Sequence, residues 1–133
     1  MKYRASELPS IDEWLKEAKL DKDADKIGMY LTHNGVVRKT AKSFVRGTSK
    51  QEKLITSMEF SYDKEILIQI MDDSKKLKGI YYIKIWLNEG KLEVGDDLMY
   101  VLIGGDIRPN VTNALDYLVG RIKNECVIET EIV

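Results

Sequence analysis

Ile80 to Leu87 reads IYYIKIWL, eight residues in which three aromatic side chains and three isoleucines surround a single lysine. Aromatic and β-branched residues pack well on a pleated, half-buried surface and lose rotamer freedom in a helix, so the run is assigned as a strand. Gly79 stops whatever helix precedes it. Asn88-Glu89-Gly90-Lys91 supplies a turn after it. A strand this apolar must find neighbours that satisfy its backbone groups, and the rest of the chain has to provide them.

The neighbours are readable in order. Ile27 to Val37 carries a Met29/Leu31 alternation and ends in β-branched residues. Gly35 there predicts a bulge or a close backbone approach. Leu54 to Ser61 and Leu98 to Ile103 are two further strands, Leu92 to Asp97 brings the chain round between turn and strand, and the tail Cys126 to Val133, CVIETEIV, alternates as a last one. Three segments have helical period instead. Ser10-Ile11-Asp12-Glu13 is a capping box opening a short helix to residue 19, after which Leu20 to Lys26 is a charged connector. Tyr62 to Leu77 places Ile66, Leu67, Ile70 and Met71 on one face. Asn110 to Lys123 follows Pro109, a residue suited to a first helical turn, and buries Val111, Ala114, Leu115, Leu118 and Ile122. Strands in runs separated by helices predict an α+β fold, with helices packed on a mainly antiparallel sheet. With 133 residues, one domain spanning residues 1–133 is expected.

Charge narrows the function. The formal net charge is −1, against a dedicated nucleic-acid binder. No apolar run approaches the ~20 residues that span a bilayer. One cysteine, Cys126, and no secretory signal lead us to expect a reducing cytoplasm. One cysteine and one histidine make a zinc site an unsuitable expectation, and no cofactor is indicated. Yet the residues that follow the first strand carry Arg38, Lys39, Lys42, Arg46, Lys50 and Lys53 against one acid, Glu52. Clustered cations at a strand exit focus potential where an anion would approach, although on charge alone the favoured reading is a solvated, lysine-rich loop. His33, the only histidine, stands beside Gly35 in the preceding strand and is a weaker candidate. Arg108 stands between a strand end and a helix start. Helix-terminal amides, with Gly104 and Gly105 leaving room, would add to its pull on a phosphate or carboxylate. Pairing of Arg108 with Asp106 is the plain alternative.

Three blocks carry a family resemblance. GMYLTHNGVVR, MEFSYDKE and GKLEVGDDLMYVLIGGDIRPNVTNALDYLVGRIK occur in the order and spacing of the large, catalytic subunit of molybdopterin synthase, and cover about residues 27 to 125. The resemblance implies an α/β-hammerhead fold, a homodimer, and a ubiquitin-like sulfur-carrier small subunit that inserts a C-terminal glycine thiocarboxylate. It implies molybdenum cofactor biosynthesis by sulfur transfer to cyclic pyranopterin monophosphate. Arg38 matches the arginine of G-V-V-R and Arg108 that of H-R, so both would line the pocket for phosphate and carrier tail. Lys39, Lys42 and Arg46 fall in the family's active-site loop.

Two departures stand beside it. The histidine of H-R is Ile107 here. The P-x-W-K segment that carries the family's catalytic lysine is replaced by NECVIETEIV, and no lysine or arginine follows Lys123. Lys123 lies about seven residues early and is expected to be structural, with a substitute role as the lesser reading. The catalytic residue is therefore left unassigned. The alternative function is a non-catalytic relative that binds a pterin, a nucleotide or a ubiquitin-like partner.

Overall fold

Ser10 opens the first helix as its spacing predicts, its hydroxyl accepting the Glu13 amide at 3.3 Å. A computed structural model describes residues 8–41, 45–47 and 54–133. Lys42, Lys50, Glu52 and Lys53 of the basic stretch lie outside the described residues. The elements are α1 (Ile11–Ala18), a 3₁₀ turn (Ala24–Lys26), β1 (Met29–Val36), β2 (Ser57–Tyr62), α2 (Lys64–Lys75), β3 (Ile80–Leu87), β4 (Gly90–Glu93), β5 (Asp97–Gly105), α3 (Arg108–Arg121), a π-helical turn (Ile122–Cys126) and β6 (Val127–Ile132).

The strands divide into two antiparallel sheets, β1-β5-β3 and β4-β2-β6, where one was expected. The strand missing from the sequence reading is β4. Its four residues are too short for an alternation to declare itself, although Leu92 within it is fully buried. The α+β arrangement of helices on antiparallel sheets is otherwise as expected.

The middle strand of the first sheet is covered on both faces. Val101, Leu102 and Ile103 are all 0% exposed. Successive strand residues point to opposite sides. Val101 and Ile103 join the main core with Ile70 of α2 and Val111, Ala114 and Leu118 of α3. Leu102 faces the other way, under Trp14 and Ala18 of α1. The β1–β5 ladder runs from Met29↔Gly105 to Gly35↔Met99 and then slips, Val36 pairing with Asp97. The irregularity expected at Gly35 is there, and a Cβ on that glycine would sit 3.3 Å from Met99 Cγ. No helix among the described residues is long and apolar enough to cross a membrane.

Candidate functional site

The slip at Gly35 ends β1 against the start of β5 and turns the chain outward at Arg38. Val37, 2% exposed, anchors the exit through backbone bonds to Asp96 and Gly95. Arg38 is therefore exposed but rooted, and its Nε donates to the Thr40 carbonyl at 3.1 Å. Facing this exit is a cleft of about 170 Å³ between the two sheets. His33, Gly35, Val36 and Arg38 form one wall, Leu98 and Met99 of β5 and Met58 of β2 the apolar floor, and Lys123, Glu129 and Glu131 the far side.

The far wall depends on an inverted strand. Met58 and Phe60 of β2 are buried and pair in register with Glu131 and Glu129 of β6. Directly opposed residues in an antiparallel ladder share a face, so both carboxylates lie on the inner side of the second sheet. Ile128, between them in phase, is 68% exposed on the outer side. A strand that turns two acids inward and an isoleucine outward loses apolar burial, and the loss is offset only where the acids have cationic neighbours. Arg38 and Lys123 are such neighbours.

Lys123 reaches the cleft from the π turn that follows α3. It was expected near the buried face of Ile122, as a structural residue first and a substitute second. Ile122 takes the buried position and Lys123 is exposed, in the cleft. His33 is half-buried; that burial, and then the Lys123 charge, push its pKa below the ordinary histidine value. At pH 7 it is neutral, with one ring nitrogen to donate and one to accept. The cleft can thus hold an anionic group between guanidinium and ammonium, with an imidazole beside it and two carboxylates competing for the same cations.

Arg108 is not brought to this place. Met29 pairs with Gly105 and Val36 with Asp97, so the Arg108 end and the Arg38 end lie at opposite ends of β5. Nine residues of strand separate them by about 26 Å. The expected arginine pair is therefore not formed within one chain. Pairing with Asp106 does not describe Arg108 either: the Asp106 carboxylate accepts from the Ile107 amide at 2.6 Å and from Asn110 Nδ2 at 2.8 Å. The room expected at Gly105 is also filled by protein. A Cβ there would lie 2.6 Å from Val111 Cγ2 and 2.7 Å from the Gly79 carbonyl oxygen, so this glycine serves strand–helix packing and not ligand approach. Lys39 and Arg46 are exposed and line no part of the cleft.

Glu129, Glu131 and Met58 escaped the sequence reading. The signal was available only through the β2–β6 register, because an alternating strand does not say which phase faces inward. A larger open groove, about 620 Å³, runs over the outer face of the second sheet. Its lining opposes Lys91 to Glu59 and Glu89, so it lacks the converging cations of the cleft.

The comparisons with known proteins bear on this arrangement. Molybdopterin synthase from Staphylococcus aureus superposes with a TM-score of 0.69 at 20% identity, over 95% of this chain and 86% of that one. The molybdopterin biosynthesis MoaE protein from Burkholderia ambifaria gives 0.70 at 17% identity, over 94% and 78%. The complex of subunits 1 and 2 of molybdopterin-converting factor from Helicobacter pylori gives 0.64 at 16%, over 94% and 80%. At these identities the likeness is one of fold. No curated protein sequence matches significantly. The sequence blocks around Arg38 and Arg108 and the two-sheet fold agree with a match to the MoaE protein family over residues 7–125, and on that match the chain belongs to the MoaE family.

Proposed function

We propose that this protein acts in molybdenum cofactor biosynthesis as a molybdopterin synthase large subunit, with the cleft at Arg38 and Lys123 receiving the anionic groups of the reaction. The carrying observation is that His33 and Arg38, from β1 and its exit, and Lys123, from the π turn after α3, line one cleft in a chain of this family. Lys123 takes the place of the absent P-x-W-K lysine. An ammonium held in place beside a bound anion stabilises charge developing on a thiocarboxylate or phosphate without having to reorganise at the moment of reaction. Arg38 orients the anion by its fixed fork of donors. Incubating the protein with a thiocarboxylated carrier and cyclic pyranopterin monophosphate is expected to yield the dithiolene product. Lys123→Ala is expected to lower kcat by about 100-fold or more with the fold intact. No product at saturating carrier would sink the assignment.

The working unit is a homodimer with a small carrier subunit on each protomer. Arg38 and Arg108 both match family pocket positions yet sit at opposite ends of β5, so a pocket that uses both draws them from two protomers.

A second reading is favoured by β6. Two carboxylates in the cleft, on a strand that has no lysine or arginine, suit a relative that binds a pterin or a ubiquitin-like terminus without transferring sulfur. In either reading the acids compete with the ligand. The double variant Glu129→Gln, Glu131→Gln is expected to tighten binding of inorganic phosphate by about tenfold, measured by calorimetry. An unchanged Kd would remove the acids from the site.

A further inference from the structure

Lys123 is carried by five residues of π-helical turn held at both ends. At the front, Arg121 donates from Nε and from its second terminal nitrogen to the two Glu125 carboxylate oxygens at 2.9 and 3.0 Å. Its remaining nitrogen reaches across to Asp73 of α2 at 2.6 Å and to the Tyr117 hydroxyl at 3.1 Å. At the back, Cys126 is buried, its Sγ donating to the Asp63 carbonyl at 3.3 Å while its own carbonyl accepts the Asp63 amide at 3.1 Å. Ile122 is fully buried between these anchors. Lys123 is the next residue and leaves the turn on the cleft side.

We propose that Arg121 is a positioning residue, whose staple from the π turn to α2 sets where the Lys123 ammonium stands in the cleft. The inference rests on the reading of Lys123 as the cleft's working cation. A π turn inserts one residue into the helical repeat and so rotates every following side chain, a device recurrent at functional sites. Such a turn has poorer internal bonding than an α-helix and needs an outside brace. An ordinary exposed ion pair would contribute little, but this guanidinium uses all three nitrogens on partners from the π turn, α2 and α3, each group limiting the freedom of the others. The hydrogen bonds from Arg121 hold the Asp73 and Glu125 carboxyls below the usual carboxylate range, in keeping with a standing contact.

The single histidine gives a readout that does not depend on activity. His33 faces Arg38, Lys123, Glu129 and Glu131, and its titration can be followed by one imidazole resonance in NMR. Lys123→Met is expected to raise the His33 pKa part of the way to its ordinary value, burial accounting for the rest, and to weaken inorganic phosphate binding by about tenfold. Arg121→Gln is expected to move His33 in the same direction, by at least half the Lys123→Met shift, and Arg121→Lys to recover part of it. A merely structural Arg121 would lower the melting temperature and leave His33 where it is; that result, with Lys123→Met still moving His33, overturns the inference alone. If Lys123→Met leaves both His33 and phosphate binding unchanged, the cleft reading falls and the positioning role with it. Should Arg121→Gln fail to fold, Glu125→Gln retains the Asp73 contact and is expected to move His33 upward by a smaller amount; no movement there is equally decisive against.

Discussion

Two variants that are each inactive are expected to rescue one another. Arg38→Ala mixed in equal amounts with Arg108→Ala, under conditions that let protomers exchange, is expected to regain about one quarter of wild-type molybdopterin formation. The figure follows from the topology. Arg38 leaves β1 beside Asp97 and Arg108 follows β5 beyond Gly105, about 26 Å along the same strand, so one chain cannot close both around one ligand. In a symmetric dimer each pocket takes one arginine from either protomer. Random exchange makes half the dimers mixed, and each mixed dimer has one pocket with both arginines and one with neither. Recovery that rises with exchange time and levels near a quarter supports the shared pocket. An absence of recovery, with exchange verified by mass-tagged protomers, shows that the arginines do not meet.

How much of this could be read beforehand depended on the range of the interaction. The Ser10 cap, the IYYIKIWL strand and the Gly35 irregularity are local, and each has the form its residues predict. The three blocks led correctly to the family and hence to the helices on antiparallel sheets. The separation of Arg38 from Arg108 is a consequence of β1 and β5 running antiparallel, which no motif spacing reveals. The Gly104-Gly105 pair has the appearance of an anion cradle in one dimension. In three, Val111 and the Gly79 carbonyl occupy the space beside Gly105. Lys123 could not be assigned because it leaves the chain from a π turn, whose flanking Arg121 meets Asp73, 48 residues earlier.

The inversion of β6 separates two residues that hydrophobicity alone would treat alike. Phe60 is 2% exposed and sits opposite Glu129, at the point where the second sheet closes on the main core. Phe60→Ala is expected to cost about 3–5 kcal/mol, from lost transfer free energy and from the cavity left beneath β6. That is a large share of the ~5–15 kcal/mol that holds a domain of this size together, and the urea midpoint should fall steeply with the slope unchanged. Ile128 is the neighbouring apolar residue of β6, and alternation read from VIETEI alone would turn it inward and the glutamates out. In the structure it is 68% exposed, so Ile128→Ala is expected to change stability by no more than about 0.5 kcal/mol. The contrast tests the strand's phase directly. A large loss at Ile128 would mean that β6 presents its isoleucines to the core, and then Glu129 and Glu131 would point to solvent and the cleft would lose its acids. A large loss at Phe60 with none at Ile128 leaves the carboxylates facing Arg38 and Lys123. That is the arrangement from which the competing-anion behaviour derives.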